Sequence, residues 1–287
     1  MKKIIYNQTI PGLAISRVVR DYEFTMPIRH MHDEYEIYYL IDGERYYFIE
    51  NQIYHVKKGS LVLINRNQIH KTVQFGDSSH ERIAVMLGGN FLSDFLAVTG
   101  ELSLPAFFRQ NQGVFCLNPP DQEYVLSLLN GIAAEMNTQG TGYRAMILTK
   151  LTRLLIFCQR YRRHRDTDIS GSLSASVTHQ KVSEVASYIS SHFAEASSLD
   201  TVARHFFMSK SYLSRIFKQA TGYTVNEYIN VSRVQEAERL LIESDLSVTL
   251  IAEAVGYESI TYFEKIFRSH TGTSPLKYRK QHRIPDV

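Results

Sequence analysis

Apolar and polar residues alternate with a period of two from Leu13 to about Leu87, in short stretches. Tyr35–Ile41 and Glu44–Glu50 flank Asp42-Gly43, a pair that reads as a hairpin turn with Gly supplying a positive φ. Ile53–Val56, Ser60–Ile64 and Arg82–Leu87 add strands, with Lys58-Gly59 and Gly76-Asp77 as turns. Many short strands without intervening helices predict an antiparallel barrel or sandwich, not a parallel sheet. After Gly89 the period becomes helical. Phe91, Phe95 and Leu96 mark a short segment, and Glu123–Met136 and Tyr143–Gln159 two longer helices. Leu148, Leu151, Leu155 and Ile156 form one stripe of the second, facing either a partner helix in the same domain or a second subunit.

Asp166–His179 (DTDISGSLSASVTH) is polar, rich in Ser and without periodicity, which predicts a linker. It separates a domain over 1–165 from an all-helical one over 180–287. The second domain contains a repeat. VARHFFMSKSYLSRIFKQATGYTVNEYI and IAEAVGYESITYFEKIFRSHTGTSPLKYR align Phe217 with Phe267, Lys218 with Arg268, Thr221-Gly222 with Thr271-Gly272 and Tyr228 with Tyr278. Each copy has a short helix with a small Ala, a turn, and a second helix with basic residues beside an apolar stripe. That is the form of a helix-turn-helix. Between the copies, Thr224–Glu243 predicts a helix of ~30 Å at 1.5 Å per residue, close to one turn of DNA at ~34–36 Å. Such a rod can hold two recognition helices in successive major grooves.

Composition narrows the picture. With 44% hydrophobic and 21% charged residues the chain is that of a folded protein. No run approaches the length of a membrane span, and the basic start MKKIIYNQTI leads into no apolar signal core, so a cytoplasmic protein is expected. Cys116 and Cys158, both in apolar surroundings, are expected as reduced core thiols. Net charge is only +3, and residues 176–287 hold 13 Lys and Arg against 12 Asp and Glu. Affinity for phosphates must therefore come from placing cations on one face.

Ser209 and Ser259 are placed to cap the two recognition helices. Leu213, Ile216 and Phe217 must face inward, which leaves Ser211, Ser214, Arg215 and Lys218 outward. Arg215 has the fork to take guanine O6 and N7, and Lys218 suits a phosphate. In the second copy Phe263, Ile266 and Phe267 face inward, and Ile260, Thr261, Glu264, Lys265 and Arg268 remain for the groove or its rim. Ile260 and Thr261 suit a thymine methyl, and Glu264 suits cytosine N4.

The region from about 180 to 281 resembles the DNA-binding domain of the AraC/XylS family of bacterial transcription regulators. The most specific segment is IAEAVGYESITYFEKIFRSHTGTSPLKYR. YLSRIFKQATG, followed by Tyr228, Ile229, Asn230, Arg233, Ala237, Leu240 and Leu241, fits as well. The resemblance implies base reading at Ser211, Ser214 and Arg215, and at Ile260, Thr261, Glu264 and Lys265. Val225 departs from the Pro often found after the first Thr-Gly. Lys265 departs from a frequent Arg and lacks its rigid fork.

In the N-terminal domain His30, His32, Glu36 and His70, with Gly43 and Gly59, resemble the pattern of the cupin barrel, although INRNQIH lacks the usual Pro-x-Gly before its His. The fold class expected is thus a two-domain α+β protein: an N-terminal cupin-like antiparallel β-barrel with helices and a C-terminal all-α tandem helix-turn-helix. His30, His32, Glu36, Tyr38 and His70 are expected to face a small-molecule effector, with no cofactor. The same histidines and Glu36 are also sound ligands for Fe, Mn or Zn, so a metal-binding barrel enzyme fused to a DNA-binding domain is one alternative. An effector-free barrel that only dimerises is the other. No GxSxG, P-loop or dinucleotide motif is present, and the expected activity is not enzymatic. The family resemblance implies an effector-responsive activator of carbohydrate-utilisation genes. Its partners would be double-stranded promoter DNA, a sugar, RNA polymerase and a second copy of the chain, and no membrane.

Overall fold

The computed structural model describes residues 1–22, 32–74, 79–98, 100, 102–164 and 177–282. His30, the Gly76-Asp77 turn and most of the expected linker lie outside the described residues. The chain divides into two compact units, Met1–Ala175 and Ser176–Val287.

Among the described residues the first unit holds nine strands: β1 (Lys2–Ile10), β2 (Leu13–Arg20), β3 (Tyr35–Asp42), β4 (Glu44–Ile49), β5 (Gln52–Lys57), β6 (Ser60–Ile64), β7 (His70–Gln74), β8 (His80–Leu87) and β9 (Gly113–Cys116). They form a six-stranded sheet, β1-β2-β8-β3-β6-β9, and a three-stranded sheet, β5-β4-β7, with every pairing antiparallel. Helices α1 (Ser93–Ala97), α2 (Leu104–Asn111), α3 (Pro119–Thr138) and α4 (Tyr143–His164) complete it. Strands β1, β7 and β9 and helix α2 were not expected from the periodicity.

Strand β3 explains the architecture. Tyr35, Ile37 and Tyr39 on one face join Leu61 and Leu63 of β6 in a core with Phe107 and Phe108 of α2, Leu129 of α3 and Leu151 of α4. Tyr38 and Leu40 on the other face join Val62 and Ile64 of β6, Tyr47 and Ile49 of β4 and Val56 of β5 in a second core between the sheets. Period two sends alternate residues to two different interiors. Leu148 and Ile156 pack only at partly exposed positions of α4.

Asp42-Gly43 is a turn, and Gly43 has φ +89, but it does not close a hairpin. Strand β3 pairs with β6 and β8, whereas β4 pairs with β5 and β7, so the chain changes sheet there. A Cβ on Gly43 would lie 2.4 Å from the Ser79 carbonyl oxygen, so only glycine fits where the segment before β8 passes this turn. Lys58-Gly59 is a second crossing of the same kind, from β5 to β6. Cys158 is buried, but Cys116 is exposed because it ends β9 at the sheet edge with its side chain outward; the two are not joined in a disulfide.

The second unit is helical: α5 (Val177–Ser191), α6 (Leu199–His205), α7 (Lys210–Thr221), α8 (Val225–Glu243), α9 (Val248–Ala254), α10 (Ile260–Thr271) and α11 (Pro275–His282). Helix α5 starts inside the stretch expected as linker. Thr224 caps α8 with a full capping box, its hydroxyl accepting from Glu227 N–H while Glu227 accepts from Thr224 N–H. Buried Arg233 of α8 donates through Nε to the Phe193 carbonyl at 2.8 Å and lies 5.1 Å from the centre of the Tyr257 ring. It ties the segment after α5 to the turn after α9.

Candidate functional site

The two repeats fold by the same local rules. Ser209 Oγ accepts from Tyr212 N–H at the start of α7, and Ser259 Oγ from Tyr262 N–H at the start of α10. Gly222 (φ +83) and Gly272 (φ +75) end these helices in the left-handed conformation. Thr221 and Thr271 each donate their hydroxyl to the carbonyl of the Phe four residues before. Phe217 then packs edge-to-face on Tyr228 at 5.3 Å, and Phe267 on Tyr278 at 5.5 Å.

The face left over is the one expected. Leu213, Ile216, Phe217, Phe263 and Phe267 are buried and Ile266 is half-buried, while Ser211, Arg215, Lys218, Ile260, Thr261, Glu264, Lys265 and Arg268 are exposed and Ser214 is half-buried. Arg215 lies over the Tyr212 ring at 5.6 Å, so its guanidinium is held along the helix by an aromatic contact that the sequence reading did not include. Lys210, also on α7, is engaged with Asp200 at 2.7 Å, which takes one cation of this helix into an ion pair.

The first unit brings together three of the expected barrel residues. Glu36 leaves the buried face of β3 with its Oε2 3.3 Å from His32 Nε2 and 3.2 Å from His70 Nε2. The His32 and His70 rings meet edge-to-face at 5.0 Å. Burial pushes the Glu36 carboxyl up, but hydrogen bonds with His32 and His70 and the charges of His70 and Arg82 outweigh it and hold the group well below the usual carboxylate range. Burial likewise pushes His32 down, and its contacts with Glu36 and Glu34 reverse this to a raised value.

Tyr38, two residues along the same strand face, is 3% exposed. It reaches the cluster through Tyr47, which meets Tyr38 at 5.3 Å and stacks on His70 at 6.3 Å. Tyr47 was missed as a site residue, although its place in the β4 alternation signals an inward side chain. Beyond Tyr38 lie Arg82, 5.9 Å from its ring centre, and buried Arg20, Arg45 and His80. Burial first, then Arg45, Arg20 and Arg82, push His80 down to about 3, so its neutral ring accepts from Arg20 at 3.4 Å. The interior thus runs from an anionic, imidazole-lined end past two tyrosines to a cationic end. A groove of about 630 Å³ lies elsewhere, between α3 and α4, lined by Tyr124, Arg153, Phe157 and Arg160 among others, and of the expected effector residues that are described, His32, Glu36, Tyr38 and His70, none borders it.

A barrel followed by two equally built helix-turn-helix units defines a DNA-binding regulator with a ligand-binding domain. The helix-turn-helix domain profile matches residues 202–281 and the AraC-like ligand binding domain profile residues 17–155, and the chain belongs to the AraC family of transcription regulators. RhaS of Klebsiella pneumoniae, an HTH-type transcriptional activator, is 25% identical over 258 residues, which cover 88% of this chain and 87% of that protein. The xylose operon regulatory protein of Escherichia coli is 30% identical over 176 residues, 57% of this chain and 44% of that protein. YijO of Escherichia coli, an HTH-type transcriptional regulator, is 37% identical over 98 residues, and the chain spans 35% of its length. These relatives are transcription regulators, which are not enzymes. No helix among the described residues is long and apolar enough to cross a membrane.

Proposed function

We propose that the protein is an effector-responsive activator of carbohydrate-utilisation genes that binds promoter DNA as a homodimer and acts with RNA polymerase. Ser211, Ser214 and Arg215 read base edges in one major groove, and Ile260, Thr261, Glu264 and Lys265 do so in the next. Lys218 and Arg268, at matching places in the last turns of α7 and α10, hold phosphates. The observation that carries this reading is the pair of helices capped, ended and packed alike while their outer residues differ. Such a frame presents two different recognition surfaces at one fixed spacing.

The effector reading rests on the barrel interior. His32, Glu36, Tyr38 and His70 offer hydrogen-bonding groups on inward faces, as a hydroxylated ligand requires. The names of the activator RhaS and of the xylose operon regulatory protein support activation and a sugar as the effector class. Effector and DNA are linked by a coupling free energy, so each ligand raises or lowers the affinity for the other by the same factor. The test is DNA binding across the upstream regions of neighbouring genes, with and without candidate sugars. A sugar that changes binding to one such region supports the reading. Binding indifferent to every sugar, with His32→Ala equally inert, would reduce the barrel to a dimerising module.

A further inference from the structure

The two recognition helices begin with residues of opposite character. Ser209 caps α7 and Ser259 caps α10, so Lys210 and Ile260 hold the same first position. Ile260 belongs to the surface proposed to read bases in the second copy. Lys210 is its counterpart, one turn before Ser214 on the same side of α7, and its side chain is 63% exposed. In the free protein that side chain is occupied, because Lys210 Nζ lies 2.7 Å from Asp200 Oδ1. Asp200 Oδ2 holds Arg204 Nη2 at 3.2 Å, so each carboxylate oxygen takes one cation.

The second copy has no equivalent of this pairing. Ser198 caps α6 and Ser247 caps α9, which sets Asp200 against Thr249 and Arg204 against Glu253. Thr249 and Ile260 cannot form an ion pair. Asp200 sits in the first turn of α6. In such a unit this helix crosses the phosphate backbone when the recognition helix enters the major groove. A bare carboxylate there would repel phosphates. Tied to Lys210 and Arg204, it belongs to a trio of net positive charge.

We propose that Lys210 is a further specificity residue of the first copy and that Asp200 withholds it from DNA of the wrong sequence; this rests on the reading of α7 as a recognition helix. On a phosphate, Lys210 would exchange one point-charge partner for another, which brings little gain. A guanine in the groove offers O6 and N7 together. These two acceptors draw the lysine off an exposed carboxylate that holds it weakly. Asp200 thus takes one cation out of the contacts made with every sequence and leaves it available at the correct one. The released carboxylate keeps Arg204 as its counter-ion.

The test uses the full-length chain, a duplex that it selects from a randomised pool, and a scrambled duplex of the same composition, each titrated over a range of salt. Asp200→Asn should tighten binding to the scrambled duplex severalfold and steepen its salt slope by about one unit, as one added phosphate contact does. Lys210→Met should weaken binding to the selected duplex by about tenfold and leave the scrambled duplex nearly unchanged. The double variant should lose the gain on scrambled DNA, because Lys210 supplies it. Both positions face solvent and neither is a helix cap, so these variants are expected to fold, which their melts check.

A gain that survives in the double variant overturns the proposal, because Asp200 then acts by repelling phosphates or through Arg204. An equal loss on both duplexes in Lys210→Met overturns it too, because Lys210 is then a phosphate contact in every complex. Arg215→Ala separates these failures from that of the wider reading. Loss of selected binding in Arg215→Ala but not in Lys210→Met sinks the role of Lys210 alone. No loss in either removes α7 from the groove, and the proposal with it.

Discussion

The turns of the two helix-turn-helix copies share a backbone and differ in what that backbone must avoid. In the first, Phe207 takes φ +52 and Met208 N–H donates to the Ala203 carbonyl; in the second, Gly256 takes φ +87 and Tyr257 N–H donates to the Ala252 carbonyl. The closure is the same, and the extra residue of the second copy, Glu258, falls after it. Yet Phe207 is 98% exposed, while a Cβ on Gly256 would stand 2.8 Å from Ala194 Cα. A left-handed residue is required in both places, but glycine is required only where another backbone passes. Local hydrogen bonding sets the turn, and the surroundings set which side chain it tolerates.

The strongest way to break this comparison is Gly256→Ala. We expect it to destabilise the second unit by about 3 kcal/mol, combining left-handed strain with a backbone overlap that no rotamer relieves. Urea unfolding of a fragment from Val177 to Val287 measures it, and that fragment is expected to fold alone because its apolar cluster around Phe263, Phe267 and Val234 is self-contained. A loss below about 1 kcal/mol, the cost of an ordinary substitution, would mean that Ala194 yields and the contact is not a constraint.

Arg215→Ala comes next, with a loss of about 1–3 kcal/mol in specific binding and relaxed preference at one base pair. Lys265→Ala in the second copy should cost less specificity, since Lys lacks the fork. Competition against scrambled DNA decides; equal loss on both DNAs would demote Arg215 to a phosphate contact. Lys218→Ala and Arg268→Ala occupy matching positions and should act alike, each lowering the salt slope of binding by about one unit for every sequence. A salt titration in which only one of them changes the slope would show that the copies do not dock equally. The smallest effect is Phe207→Gly, expected to stabilise the fragment by about 0.5–1 kcal/mol, because it relieves left-handed strain and removes no buried contact. If it destabilises instead, Phe207 makes contacts that its exposure conceals.

The two units were legible to different depths for a physical reason. Caps, left-handed ends and the 3.6-residue stripe act within a few residues. Ser209, Ser259 and the outer faces of α7 and α10 could therefore be placed from the chain alone. In the barrel, Glu36 and Tyr38 could be named from the chain, but Tyr47 and the partners of all three could not. Asp42-Gly43 shows the limit. Its turn chemistry sets φ at Gly43, but whether β3 and β4 pair or part depends on the strands that take them as partners, β6 and β8 for one and β5 and β7 for the other, which lie far along the chain.

What the sequence by itself determined is the repeat, its capping, and the inward and outward faces of the recognition helices. These are consequences of local dihedral and hydrogen-bond preference. Only the tertiary structure decided that His32 and His70 meet on one oxygen of Glu36, that Arg20, Arg45 and His80 share an interior, and that Gly256 is confined while Phe207 is not. Each of these depends on a non-local contact, formed when strands or helices distant in the chain are packed together. No local propensity specifies which distant residue will stand opposite.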